Sequence, residues 1–231
     1  MKYLLGLLFY GLLSNVYSND IIFMVDSSKS IFSSEMCDYS HLIQNITSDF
    51  VNEFSDCNTI NYASVQYNVK GSIDFPFSNN NSEVYNNMKN YDFNYGAPTV
   101  IHSGLDKVIE LYSNFNELYS STPIYFMLFT DGETLNKQDF LNSLLMYPFN
   151  SSEFTPIIIK IGTHVMDNTI VLDVFNNTEL NYLTCDNNPL ENILNKYNFR
   201  PTTTFTTTTS TSTSTSTSPT TTTSTSTSTS T

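Results

Sequence analysis

Hydrophobic and polar positions along the chain fall into two alternating patterns. Ile21 to Val25 is an unbroken apolar run that ends in a polar cluster, and similar runs recur at Ile124 to Thr130 and Pro156 to Ile161. Runs of this length without alternation are expected of strands buried on both faces of a parallel sheet. Tyr62 to Tyr67 and Val69 to Phe75 alternate more loosely, with Lys70 and Asp74 interspersed, as strands nearer a sheet edge do, and Gly71 weakens the second. Between the strands, Leu42, Ile43, Ile46, Phe50, Val51 and Phe54 recur at three and four residues and predict a helix over 35–54; Leu105, Val108, Ile109 and Tyr112 predict another. Shorter helices are expected at Val84 to Tyr91, Gln138 to Met146, Glu179 to Leu183 and Leu190 to Tyr197, while Thr169 to Phe175 suits a strand or a helix equally. The alternation predicts an α/β fold: a doubly wound, mainly parallel central sheet flanked by helices, Rossmann-like in architecture.

The two ends of the chain differ from this middle. Lys2, the apolar stretch Tyr3 to Leu13 and the small residue Ser18 form a secretory signal pattern over residues 1–18, with cleavage expected before Asn19. The apolar stretch is too short for a bilayer-spanning helix, which needs about 20 residues, so no membrane insertion is expected. From Thr202 to Thr231 every residue is Ser or Thr except Phe205 and Pro219. Such a segment has almost nothing apolar to offset its ordering entropy, so 201–231 is expected to be a disordered, mucin-like tail carrying O-glycans. Residues 19–200 remain for one domain, long enough to bury a core.

Charge narrows the partners. The chain has 9 Lys and Arg against 22 Asp and Glu, and losing Lys2 with the signal leaves 8 − 22 = −14. No nucleic-acid partner is expected, because phosphate-backbone binding is driven by Lys and Arg, which the acidic residues here outnumber. Asn45, Asn80, Asn150 and Asn176 open glycosylation sequons. Three cysteines, Cys37, Cys57 and Cys185, allow one bridge. With Cys37 inside the predicted helix and Cys57 just beyond it, the two lie roughly 30 Å apart at ~1.5 Å per residue, which excludes that pair. The expectation is Cys57 with Cys185.

Candidate chemistry sits where buried strands end. Asp26-Ser27-Ser28-Lys29-Ser30 follows the first apolar run directly, and in open α/β sheets ligands bind beyond the carboxyl ends of the strands. Alternation lets Asp26, Ser28 and Ser30 converge on one point, and the run Ile124 to Thr130 delivers Asp131 at the same end. Two carboxylates and several hydroxyls form an all-oxygen environment suited to Mg²⁺, Mn²⁺ or Ca²⁺ rather than zinc. Helix capping by Asp26 and Asp131 is the competing explanation. His41, His102 and His164 show no ligand spacing, and Tyr91, Phe93 and Tyr95 are expected to pack the core or a loop.

Asp26-x-Ser28-x-Ser30 after an apolar strand, a Thr after a Gly-containing loop (Gly96-Ala97-Pro98-Thr99) and Thr130-Asp131-Gly132 closing another strand together resemble the von Willebrand factor A-type domain. The resemblance implies that fold and a metal-ion-dependent adhesion site. Ser28 and Ser30 would then be direct hydroxyl ligands, Asp26 and Asp131 carboxylates acting largely through water, and Thr99 a ligand whose contact changes with conformational state. A carboxylate from a partner would complete the coordination. Ala97 and Pro98 stand where the family commonly has glycine before the Thr.

The expectation for function is a secreted, extracellular module that captures an acidic side chain of an extracellular or cell-surface protein through a bound cation. A structural surface-coat or matrix glycoprotein displaying its mucin-like tail is the alternative. Catalysis is not expected: no Gly-x-Ser-x-Gly elbow, His-Glu-x-x-His, Gly-x-x-x-x-Gly-Lys or Gly-x-Gly-x-x-Gly occurs.

Overall fold

A computed structural model describes residues 20–32, 37–56, 59–116, 124–132, 137–146, 154–162, 180–197 and 199. In chain order these form β1 (Asp20–Asp26), a 3₁₀ turn (Lys29–Phe32), α1 (Tyr39–Glu53), β2 (Tyr62–Tyr67), β3 (Gly71–Ser78), α2 (Asn81–Lys89) and α3 (Ile101–Asn116). β4 (Ile124–Thr130), α4 (Lys137–Met146), β5 (Phe154–Ile161), β6 (Asn181–Leu183) and α5 (Leu190–Lys196) follow. The six strands make one sheet in the order β3-β2-β1-β4-β5-β6. Only the β2–β3 pair is antiparallel.

The uninterrupted apolar runs are explained by what lies on each face. Along β1, Ile21, Phe23 and Val25 pack into a core with Ile43, Ile46 and Phe50 of α1 and with α2 and α5. Ile22 and Met24 face the opposite way, into a second core with Ile101, Leu105 and Val108 of α3 and Phe140 of α4. Side chains alternate across a strand, so a strand covered on both faces must be apolar at every position. All seven residues of β1 are buried. The doubly wound α/β sheet therefore stands as its pattern predicts.

The edges differ from expectation in two places. Residues 181–183, within a predicted helix, form β6, whose Asn181 and Leu183 are buried while Tyr182 stays exposed. Three residues of strand carry too short a period to be told from a helical turn. Pairing with Ile159 to Ile161 of β5, and the Asn181 amide donating to the Ile158 carbonyl at 3.1 Å, decide the outcome. β3 starts at Gly71, with Val69 in the preceding turn and exposed. Gly71 is required there because a Cβ would stand 2.0 Å from the Ser103 backbone oxygen of α3. Residues 169–175 lie outside the described residues.

The disulfide also departs from expectation: Cys185 is bonded to Cys37, with Cα atoms 5.7 Å apart, and not to Cys57. α1 begins at Tyr39 and not at residue 35, so Cys37 precedes the helix, above the carboxyl end of the sheet, where Cys185 emerges two residues after β6. Cys57, itself outside the described residues, follows the far end of α1. With Cys37 outside the helix and bonded to Cys185, the expected Cys57–Cys185 pair is overturned.

Asp38 caps α1, its carboxylate accepting from the His41 backbone N–H at 3.1 Å and from the Ser40 hydroxyl. Those bonds, Ser40 first, hold the Asp38 carboxyl below the usual range. A depressed carboxyl stabilises the fold above its unfolded-state value, and this contribution is lost as pH falls through the lower folded-state value. Asp38→Ala is expected to cost about 1 kcal/mol near neutrality, a difference from wild type that closes in acid; denaturant unfolding at several pH values measures it. Peptide mapping without reduction should recover Cys37 linked to Cys185.

Candidate functional site

The topology places the reversal of strand order between β1 and β4: the chain winds outward from β1 to β3, then returns across β1 to β4. A crevice opens at such a point beyond the carboxyl ends of the strands. Asp26 ends β1 and Asp131 follows β4 directly, so adjacent parallel strands present both carboxylates at this crevice.

Asp26 is fully buried. One of its oxygens, Oδ1, accepts the Ser28 backbone N–H at 2.8 Å, which curls the chain so that the Ser28 and Ser30 hydroxyls lie 2.8 Å apart. The other oxygen, Oδ2, is buried with no hydrogen-bond partner among the described residues. Burial, and after it the negative charge of Asp131, hold the Asp26 carboxyl well above the usual range, against the opposing hydrogen bonds from Ser28. The Tyr67 hydroxyl is close enough to moderate this, but its geometry favours donation to the Phe129 carbonyl at 3.3 Å. Buried carboxylates are normally paired or fully hydrogen-bonded, so an uncompensated oxygen beside a second carboxylate marks a place where positive charge fits.

A second loop is laced to the first. Ser28 pairs with Gly96 in a parallel bridge, the Lys29 N–H donating to the Gly96 carbonyl at 3.0 Å and the Gly96 N–H to the Ser27 carbonyl at 3.3 Å. Beyond the cis Ala97–Pro98 bond comes Thr99, buried, and the next N–H, of Val100, donates to the Asn68 carbonyl at 2.8 Å. Thus Asp26, the Ser28–Ser30 hydroxyl pair and Asp131 meet at the ends of β1 and β4, and Thr99 belongs to the loop paired with Ser28. Gly132, with φ of 93°, turns the chain after Asp131, its N–H donating to the Thr130 hydroxyl at 3.0 Å. Lys29 is exposed, and His164 lies outside the described residues.

Three supporting residues escape sequence reasoning. Ser27, skipped by the alternation, is fully buried and donates to the Tyr67 carbonyl at 3.1 Å. The Asn68 amide donates to the Ser27 hydroxyl at 3.1 Å and to the Asn94 carbonyl, so one side chain ties β2, the Asp26 loop and the Thr99 loop together. Lys160, opposite Thr130 in the β4–β5 register, is buried near the negative Asp131, and burial lowers its pKa. For Ser27 the usable signal was its place between two motif residues; for Asn68 and Lys160 no sequence spacing points to the site.

The donor set consists of two carboxylates and up to three hydroxyls, and among the described residues no three His, Cys, Asp or Glu side chains cluster. A hard divalent cation fits such oxygen donors, and it fits the orphaned Asp26 oxygen. Of the sequons, Asn80 is exposed at the N-cap of α2 and Asn45 is half-buried, accepting from Lys89 Nζ at 2.7 Å; Asn150 and Asn176 lie outside the described residues. No described helix is long and apolar enough to cross a membrane.

The family model described as von Willebrand factor type A domain matches residues 20–215. Among solved structures, proximal thread matrix protein 1 from the mussel byssus is similar at 18% identity and a TM-score of 0.63, over 78% of this chain and 46% of that one. A second structure of the mussel protein, described as having a zinc-occupied MIDAS motif, gives a TM-score of 0.61 at 18% identity over 77% of this chain and 44% of that one. BatB from Bacteroides thetaiotaomicron gives 0.58 at 9% identity, over 78% of this chain and 97% of that one. At these identities the likeness is one of fold, and the chain spans less than half the length of the mussel protein. Among curated proteins none matches the sequence.

Replacing Asp26 by Asn keeps an acceptor for the Ser28 N–H while removing the buried charge. In chelator, Asp26→Asn is expected to unfold at higher temperature than wild type, by about 1–3 kcal/mol of added stability, and to lose the stabilisation that added Mg²⁺ or Mn²⁺ confers on wild type. Thermal unfolding with and without cation measures both.

Proposed function

The chain belongs to the von Willebrand factor type A family, and from that premise we propose that it is an exported recognition module capturing an acidic side chain of an extracellular or cell-surface protein. Domains of this family mediate protein–protein interaction, and many hold a metal at the strand ends described above. The observation that carries the proposal is the buried, unpartnered oxygen of Asp26 beside Asp131 and the Ser28–Ser30 hydroxyl pair.

Asp26, Ser28, Ser30, Thr99 and Asp131 would hold Mg²⁺, or Mn²⁺ or Ca²⁺ in its place. A divalent cation, when bound, supplies an electrophilic position open to an incoming carboxylate. The protein's own part is preorganisation. Ser28 and Ser30 offer neutral donors, which leave more of a cation's charge for a ligand than a third and fourth carboxylate would. The Asn68 and Ser27 bonds hold both loops in place before any partner arrives. Because the chain is strongly acidic, with a formal charge of −13, an acidic partner is repelled at a distance and attraction must act locally; screening beyond ~8 Å at physiological salt permits this.

The remaining features belong to the same proposal. Residues 1–18 act as a signal peptide, Asn45, Asn80, Asn150 and Asn176 receive N-glycans, and 201–231 is a mucin-like stalk. The module performs no catalysis. A second reading, a matrix or surface-coat glycoprotein with a structural or unused metal site, is favoured by the name of the similar mussel protein, a thread matrix protein.

Affinity capture of surface proteins, with wild type and Asp131→Ala compared in Mg²⁺, Mn²⁺, Zn²⁺ and chelator, separates the two. Recognition through the cation requires retention to fall about tenfold or more in chelator and in the variant. Retention unaffected by either supports the structural role.

A further inference from the structure

A cleft beside the strand-end site uses none of its oxygen donors. The segment 91–95, between α2 and the Thr99 loop, forms one wall of an open cleft of about 880 Å³ whose other walls are β3 and the C-terminal half of α2. This falls within the ~300–1,000 Å³ typical of small-ligand clefts. Three aromatic rings step outward along the wall. Tyr91 and Phe93 are buried and meet edge to face at 5.0 Å, and Phe93 stacks under Tyr95 at 6.2 Å with an interplanar angle of 8°. Tyr95 is 53% exposed, more than Val69 or Tyr182, the other exposed large hydrophobics among the described residues. The outermost ring is thus supported from beneath while remaining accessible.

The floor is polar and fixed. Buried Gln66 donates to Asp74 at 2.5 Å and to the Asp92 carbonyl at 3.3 Å, and accepts the Asn94 N–H at 2.8 Å. Asp74 also accepts from the Tyr91 hydroxyl and, at 3.1 Å, from Ser64. Asn86 and Asn87 of α2, with Asn90 at its C-cap, line the facing wall and are exposed.

The composition selects the ligand. None of the lining residues is Lys, Arg or His, so an anionic ligand would find no counter-charge. A metal ion is equally poorly served, because the Asp74 carboxylate is already taken up by three donors and Asp92 is the one other carboxylate of the lining. Side-chain amides each offer both donors and an acceptor, the complement of neighbouring hydroxyl groups, and a supported aromatic face accepts the apolar C–H face of a sugar ring. We propose that this cleft binds a neutral carbohydrate, with Tyr95 as the stacking platform and Asn86, Asn87 and Asn90 as hydroxyl-reading amides. The site is independent of the cation. It is joined to the metal loop through one covalent step, since Tyr95 precedes the Gly96 that pairs with Ser28.

The test applies the full chain, in chelator, to immobilised neutral oligosaccharides ending in galactose, glucose, mannose or N-acetylglucosamine. Wild type and Asp131→Ala should be retained alike on at least one of them. Tyr95→Ala and Asn87→Ala, both at exposed positions that leave the core intact, should each weaken retention about tenfold or more, the loss expected on truncating a contact that anchors binding. Circular dichroism of each variant establishes that it is folded. No retention of wild type on any of these sugars, or retention unchanged in both cleft variants, overturns the proposal. Loss of protein capture in Asp131→Ala with sugar binding intact would show the two sites to be separate.

Discussion

At the carboxyl end of β1 a carboxylate has been withdrawn from water with one oxygen accepted into a backbone turn and the other left unmatched. Much of the surrounding architecture is arranged around that cost. The turn that satisfies Oδ1 is the same turn that brings Ser28 and Ser30 into contact. The bridge from Ser28 to Gly96 draws in the loop bearing Thr99, and the strand adjacent to β1 is followed directly by Asp131. Burial and the neighbouring Asp131 both disfavour a bare charge on Asp26, and positive charge placed at that point would relieve them.

The sheet makes this placement possible. Parallel strands emerge at one common end, so residues more than a hundred positions apart in sequence become neighbours simply by ending adjacent strands. Covering both faces with helices buries every residue of β1 up to that end. Gly71 and Gly104 show how closely the layers approach: a Cβ at Gly104 would lie 2.9 Å from the Tyr67 Cβ of β2 and against the Met24 side chain of β1, so a side chain there would push α3 off the sheet. The first residues of α3 follow Thr99 by two positions, and helix packing and loop position are therefore coupled.

Much of this could be read from the chain itself. A strand buried on two faces leaves an unmistakable apolar run, and Ile21 to Val25 and Ile124 to Thr130 each announce both a strand and the point where it stops. The polar residues at those stopping points were legible for the same reason. What could not be read was information carried by tertiary pairing. β6 is three residues long and owes its conformation to β5, so its own sequence favoured a helical turn equally well. The Cys185 partner depended on which end of α1 faces the carboxyl edge of the sheet, which requires the exact helix start. Asn68 matters because it bonds across two loops, and no spacing along one chain reveals a side chain that acts between segments.

The bond between Cys37 and Cys185 encloses 148 residues of sequence separation. Tension applied at the two ends of the domain would run from β1 through the sulfur atoms to α5, bypassing the helices and strands inside the loop. The short edge strand β6, which on its own would peel away first, lies within the bypassed portion. Stretching can therefore extend only the outer segments, and most of the hydrophobic interior is mechanically sheltered for as long as the covalent link survives.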